Sequence, residues 1–480
     1  MQNNGNMPIS FSSSIFSRLL ALACAFLLNP SSAWADAPAL AQKEADEIVA
    51  PGPEAPAGKV LEWKSAEDKP YWYRVPDFKA TKKAVAKGEA RKPALILMLH
   101  GTGMKWGWAF WNYPIVRGKF REHDIVVAPE GMTPGHGDTF NFVQNKNDGE
   151  LIAGLIKDFK EAYEIDRVYL YGHSQGAFFC YWFAGEYPDL VDGIVAHAGN
   201  VLSVKHSKQS RENVAIGILH GIADAVVPVS CAFRTQRIYE KEGYASLKLH
   251  AVEGLTSKSG HWPLPHQVGQ MMNWLDKVCV DDPKLALDIL EAELDSESPD
   301  VSVYPLLERR IGTLLKKYKG DDADKLERSL QRAQKEISKL VAAHAMKLKP
   351  MVKKWKSKTP YGPWVSHFSS VNAVFAEHEE WKGSLKKLQG IAAKHDKDVA
   401  KAIDGLGVDN PKVFTNGLKA LEKSFLSNRY EELLARMELL ATRPPEGVAE
   451  EDLAALKELV DSRAKDRKEG LEAFAKINCK

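Results

Sequence analysis

The feature that most constrains this chain is a series of short apolar runs separated by amphipathic segments. Leu95–Leu99, Ile125–Ala128, Val168–Tyr171, Gly193–Ala198, Ala215–Leu219 and Leu247–Val252 are short and apolar almost throughout. Such runs suit strands buried on both faces, as in parallel sheets. Between them, Leu151, Ile152, Leu155, Ile156 and Phe159 recur near a period of 3.6 within Leu151–Tyr163. Phe178–Ala184, Phe233–Glu242 and Val268–Val278 also read as helices. Strand alternating with helix predicts an α/β fold, a doubly wound and mostly parallel sheet, over residues 59–280. Val60–Trp63 and Tyr71–Val75 read as a strand pair ahead of it.

From Asp281 the strand-like runs nearly vanish and Ala, Leu, Lys and Glu dominate. Leu306–Tyr318, Ala323–Leu348, Leu418–Leu426, Tyr430–Leu440 and Leu453–Ala475 have helical spacing. Residues 281–480 are therefore expected to form a separate all-α C-terminal domain, with no fixed-period repeat. Pro411 after Asp409-Asn410 suits a helix start, and Pro350 is expected to break or kink the longest helix. Lys347, Lys349, Lys353, Lys354, Lys356 and Lys358 surround Trp355 and read as a solvated helix face.

The N-terminus carries Arg18, an apolar run over Leu19–Leu28 that is too short to span a bilayer, and Ala33-Trp34-Ala35. That order matches a secretory signal over 1–35 with cleavage before Asp36, and hence export to the periplasm or medium. Residues 36–58, rich in Ala, Pro and Glu, read as a flexible leader. No later stretch is apolar enough for a membrane span. Downstream of the signal stand Cys180, Cys231, Cys279 and Cys479. None has zinc-ligand spacing, so no metal and no cofactor is expected. A Cys231–Cys279 disulfide is the favoured pairing in an oxidising compartment, with Cys180 buried. The net charge of +2 over 480 residues gives no bulk attraction to nucleic acid, and none is expected as a partner. The oligomeric state is left open.

The chemistry centres on Gly172-His173-Ser174-Gln175-Gly176, which follows an apolar strand and opens a helical segment. Such a strained turn projects the serine hydroxyl from the sheet edge, and only small flanking residues avoid the neighbouring backbone. A serine needs a base to take its proton and an acid to hold that base in one tautomer. Asp224 follows the strand Ala215–Leu219, and His261 follows the strand Leu247–Val252. Both fall beyond the carboxyl ends of strands, where sites in such sheets collect. His100-Gly101-Thr102-Gly103 follows the strand Leu95–Leu99. The backbone N–H groups of Thr102 and Gln175 are the candidate oxyanion hole, with His100 holding the loop. Trp106, Trp108, Phe110, Trp111 and Tyr113 crowd the next stretch, and Trp262 flanks His261. Trp106, Trp108, Trp111 and Trp262 are the candidate lining of an aromatic substrate pocket.

Together these four motifs resemble the α/β-hydrolase superfamily. Within it, His-Gly-Thr-Gly, Gly-His-Ser-Gln-Gly, His-Gly-x-x-Asp-x-x-Val-Pro and Gly-His-Trp-Pro look like the secreted feruloyl esterase and polyhydroxybutyrate depolymerase-like esterases. The resemblance covers about residues 60–280. It implies hydrolysis of a small or plant-derived carboxylic ester, with Ser174 as nucleophile, His261 as general base and acid, and Asp224 orienting His261. The helical half is unlike the small β-rich polymer-binding modules of some relatives. Two other readings compete. A serine peptidase of related fold often has a further glycine where this chain has Ala177. A binding or scaffold protein would have the helical half as its working part, and such a protein has no need of a complete triad.

Overall fold

The computed structural model describes residues 45–87, 90–112, 121–252, 260–262, 264–297, 300, 303–354, 393–406, 411–424, 427, 429–442, 444 and 447–477. The expected signal segment and the start of the leader lie outside these residues. The strands are β1 (Glu47–Ile48), β2 (Leu61–Lys64), β3 (Pro70–Arg74), β4 (Ala94–Leu99), β5 (Ile125–Pro129), β6 (Thr133–Pro134), β7 (Phe140–Asn141), β8 (Arg167–His173), β9 (Gly193–His197), β10 (Ala215–Gly221) and β11 (Leu247–Val252). Interleaved with them are α1 (Phe78–Ala86), α2 (Trp108–Asn112), α3 (Lys146–Ala162), α4 (Gln175–Glu186), α5 (Lys208–Asn213), α6 (Ser230–Glu242) and α7 (Pro265–Val278).

Among the described residues, nine strands form one sheet in the order β1-β2-β3-β5-β4-β8-β9-β10-β11, and β6 and β7 form a separate pair. From β5 to β11 every neighbour pair is parallel, while β3 runs antiparallel to β2 and β5. Because side chains alternate across a strand, β4 feeds two cores. Ala94, Ile96 and Met98 pack on one face with α7 and α2, whereas Leu95, Leu97 and Leu99 pack on the other with α3, α4 and α6. Each fully buried Leu or Ile contributes about 1.5–3 kcal/mol, so both layers are held by the same strand. α3 begins where the Asn145 side chain accepts from the Asp148 N–H, and it buries Leu151, Ile152, Leu155, Ile156 and Phe159.

The described part of the expected leader is tied down rather than loose. β1 pairs with β2, the Tyr163 hydroxyl accepts from Gly52 N at 2.7 Å, and the Tyr73 hydroxyl donates to the Val49 carbonyl at 2.8 Å. Tyrosine hydroxyls satisfy backbone groups that a Pro/Gly-rich segment cannot satisfy itself, a device invisible in composition.

Beyond the sheet come α8 (Pro283–Asp295), α9 (Tyr304–Leu315), α10 (Ala323–Lys354), α11 (393–405), α12 (Pro411–Lys423), α13 (Tyr430–Thr442) and α14 (Glu450–Ile477). Pro350 does not end α10, which continues to Lys354. A proline removes one backbone hydrogen bond, and here the helix carries on past it. The hydrophobic core does not stop at residue 280. Ala286, Leu287, Leu290, Tyr304, Leu307, Ile311, Ile337 and Val341 share a cluster with Ile96, Tyr171 and Trp274 of the sheet layer. A second, separate core joins Val399, Ile403, Phe414, Leu421, Leu433, Met437 and Val460. The expected Cys231–Cys279 disulfide is absent: both thiols are free, as is buried Cys180. Cys279, at the end of α7, donates instead to the Asp192 carbonyl at 3.2 Å.

Candidate active site

Only Ser174 separates β8 from α4, and it adopts φ 51° and ψ −115°. A positive φ outside glycine costs on the order of 1–3 kcal/mol and persists only when its surroundings impose it. Here Ser174 N donates to the His197 carbonyl and the Ser174 carbonyl accepts from Ala177 N, both at 2.9 Å. The flanking glycines are required sterically. A Cβ on Gly172 would lie 2.2 Å from the Gly176 carbonyl oxygen, and one on Gly176 would lie 2.4 Å from the Leu99 oxygen. A Cβ on Gly101 would come within 3.1 Å of the Ser174 Cβ, which places the His100–Gly103 loop beside the serine.

Asp224 and His261 meet on the same edge. His261 Nδ1 donates to Asp224 Oδ2 at 2.8 Å, while Asp224 Oδ1 accepts from Val226 N and Val227 N at 2.8 Å each. Asp224 is 1% exposed and His261 6%. Burial opposes the charged carboxylate, but hydrogen bonds from His220 and His261 outweigh it and hold Asp224 below the ordinary carboxylate range. The loops carrying the two residues touch backbone to backbone. A Cβ on Gly260 would sit 2.5 Å from Asp224 N, and one on Gly221 would sit 2.2 Å from the Gly260 oxygen. With Nδ1 committed to Asp224, His261 Nε2 is buried and has no hydrogen-bond partner among the described residues.

Three further histidines surround this pair, each closing an apolar run. His173 Nε2 donates to the His261 carbonyl at 2.7 Å, and the two rings lie 5.0 Å apart. This hydrogen bond links the residue before Ser174 directly to the backbone of His261. Burial pushes His173 down to about 3, so its ring stays neutral. His197 shares a 2.9 Å hydrogen bond with the Tyr171 hydroxyl, and burial again holds it well below the usual imidazole range. His220 Nε2 lies 2.7 Å from the Val227 carbonyl and 3.4 Å from Asp224 Oδ2. His220 Nε2 thus faces both acceptors and ties the Asp224 carboxylate to the Val227 carbonyl of its own loop. Register explains the grouping. His173 pairs with His197 across β8 and β9, Leu219 pairs with His197, and Leu99 pairs with Gly172. His100, His173, His197 and His220 thus stand at the carboxyl ends of four adjacent strands. Their signal in the sequence is a histidine closing four of the six apolar runs.

His100 holds its own loop: Nδ1 lies 2.9 Å from the Gly101 carbonyl, and Nε2 lies 3.4 Å from Glu130. The Thr102 hydroxyl donates to the Gln175 side-chain oxygen at 3.2 Å, bringing the two oxyanion-hole candidates together. As the first residue of α4, Gln175 has an N–H that no earlier turn of the helix can use. The aromatic stretch divides. Trp108 is 1% exposed, packs with Phe110 in the core and lies 5.6 Å from His173, so it supports the site from beneath instead of lining a pocket. Trp108, Ala109 and Phe110 are all buried, so this short helix lies within the core rather than at a pocket wall. Trp106 and Trp262 are part-exposed. The Trp111 side chain and Tyr113 lie outside the described residues, as do the side chains of the lysine cluster around Trp355. No group of His, Cys, Asp or Glu among the described residues has metal-binding geometry. No helix there is long and apolar enough to cross a membrane.

Residues 94–227 match the family described as alpha/beta hydrolase fold. Similar solved structures include a thermostable esterase, 20% identical, over 45% of this chain and 61% of that one, with a TM-score of 0.35. This chain therefore spans less than two thirds of that esterase. A carboxylesterase from Mesorhizobium loti is 15% identical over 43% of this chain and 94% of its own, with a TM-score of 0.33. A Bacillus cereus carboxylesterase is 18% identical over 44% and 95%, with a TM-score of 0.32. The mostly parallel sheet and the family match make this an α/β-hydrolase fold, followed by a helical C-terminal region.

Proposed function

We propose that the protein is a serine hydrolase of carboxylic esters that works through an acyl-enzyme on Ser174. The observation that carries the reading is the state of His261. Its Nδ1–H is held by a buried, charged Asp224, its Nε2 has no partner among the described residues, and its backbone carbonyl is bonded to His173, the residue before the strained turn at Ser174. An imidazole held this way is set to take a hydroxyl proton.

In the reaction, His261 Nε2 removes the Ser174 Oγ proton as Oγ bonds to the ester carbonyl carbon. Negative charge collects on the carbonyl oxygen, where the Thr102 and Gln175 backbone N–H groups would receive it. The carbon–alkoxy bond then breaks, and the imidazolium returns its proton to the departing alcohol. Water repeats the sequence on the acyl-serine: His261 takes its proton, the acid leaves, and Ser174 Oγ is reprotonated. Part-exposed Trp106 and Trp262, with the motif resemblance to feruloyl esterase-type enzymes, favour an ester bearing an aromatic group. The order of charge, apolar run and A-x-A site before Asp36 supports export. N-terminal sequencing of the mature protein should begin at Asp36, and retention of residues 1–35 would contradict export by this route.

The direct test is hydrolysis of short-chain and aromatic p-nitrophenyl esters by the protein and by Ser174→Ala. Turnover should vanish in the folded variant. Equal turnover in both would remove Ser174 from the chemistry, and peptide cleavage without ester cleavage would favour a peptidase.

A further inference from the structure

The helical region has no part in the chemistry above, yet one of its helices reaches the loop that carries the acid. α13 has two working faces. Tyr430, Leu433, Leu434 and Met437, at i, i+3, i+4 and i+7, are buried in the core of the helical region. Ala435 points elsewhere, 1% exposed, and closes a small separate cluster with Ile222 and Val229. Those two residues bracket Asp224 in the chain. Beside this cluster, Glu432 is 3% exposed and accepts from Arg237 of α6 at 2.6 Å and from Arg429 at 3.0 Å. An apolar seat and a buried carboxylate therefore fasten α13 to both ends of the segment 222–237.

We propose that α13 is a brace for the acid loop: the helical region of 399–460 sets the position of Asp224, and through it His261, from outside the site. From Ile222 to Val229 the loop has no helix or strand. Its first residues are anchored by Ile222 N to the Val252 carbonyl and Asp224 N to the Gly221 carbonyl, and 225–228 are ordered by the Asp224 carboxylate accepting Val226 N and Val227 N and by His220 at the Val227 carbonyl. Small movements there act directly on the 2.8 Å bond between Asp224 and His261. Ala435 and Glu432 are positioning residues and touch no substrate. Loosening the brace shifts the loop without emptying any of the three large cores, because Ala435 belongs to none of them.

The proposal rests on the serine-hydrolase reading for its catalytic consequence but not for its structural part, and the test separates them. In the full-length chain, Ala435→Glu places a charge in the apolar seat. Arg237→Ala, on the exposed side of α6, is the milder variant should the first fail to fold. Two quantities are read: amide hydrogen exchange over 221–229, and the rate at which a fluorophosphonate probe labels Ser174. Ala435→Glu should speed exchange at Val226 and Val227 and slow labelling by about 5- to 20-fold, at the lower end of the usual coupling between sites. Arg237→Ala should do both to a smaller degree. Folded variants with unchanged exchange over 221–229, or with faster exchange and unchanged labelling, would overturn the proposal. If the unmodified protein takes up no probe, the serine-hydrolase reading fails, and exchange alone decides whether α13 braces the loop.

Discussion

Asp224 illustrates how a single side chain can be held three ways. One oxygen takes two backbone N–H groups and the other takes His261, so the carboxylate has one orientation and stays charged. Asp224→Asn keeps the shape but offers His261 a weaker acceptor that also admits the wrong tautomer. Ester turnover should fall by about 10,000-fold, with the fold preserved by circular dichroism. His173 acts on the other side of the ring through its bond to the His261 carbonyl. His173→Phe should lower kcat by roughly 10- to 100-fold with KM little changed, as expected for a displaced base. His173→Gln, which keeps an N–H donor, should recover part of the loss. Equal kcat in all three proteins would show that the bond does not position His261. Ser174, Asp224 and His261 stand out in the sequence as candidates because each follows an apolar strand and stands in a turn or loop. His173, His197 and His220 do not, because a histidine at the end of a strand reads as one more buried residue until strand register sets it beside its neighbours. Trp108 reads as pocket lining because it follows the oxyanion loop, whereas the packing of α2 buries it.

Between elements, glycine decides what can approach. The acid and base loops lie against each other at Gly221 and Gly260, where a side chain would meet backbone. Gly260→Ala should destabilise by about 1–3 kcal/mol, as overpacking does, and reduce activity further by parting Asp224 from His261. Gly154, within α3, has nothing within 4 Å of its missing Cβ. Gly154→Ala should therefore stabilise by about 0.5–1 kcal/mol in chemical denaturation, the ordinary gain of alanine over glycine in a helix. A neutral or negative effect would mean that the open face of α3 is covered. The parallel strands and their helices were readable because β4, β5, β8, β9 and β10 are apolar along their length. α8 was missed although its signals are present, with Asp282 capping and Pro283 in the first turn.

At the scale of the whole molecule, composition marked a change near residue 281, but packing does not follow composition. α8 and α9 pack on α7 and share its core, so a chain ending at Val280 should expose apolar surface of α7 and be insoluble or molten when expressed. Recovery of a cooperatively melting 45–280 fragment would contradict this. Acid sensitivity is a second global property. His173 takes a proton only near 3 in the fold, against about 6.5 in an unfolded chain, and His197 is likewise depressed by burial. Between those values the unfolded state binds more protons, so stability should fall as pH drops from about 6.5, by up to about 1.4 kcal/mol per pH unit per histidine. Urea midpoints measured across that range should decline with acid, and the slope should shrink in His173→Phe.

The claim on which the account turns is that Ser174 carries the acyl group. Rapid acid quenching of the protein during turnover of p-nitrophenyl acetate, followed by peptide mass mapping, tests it most directly. The account predicts one acetyl group on the peptide containing Ser174, accumulating further in a variant slowed in deacylation and absent from Ser174→Ala. Turnover with no acyl group on that peptide, or with the acyl group on another residue, would contradict it.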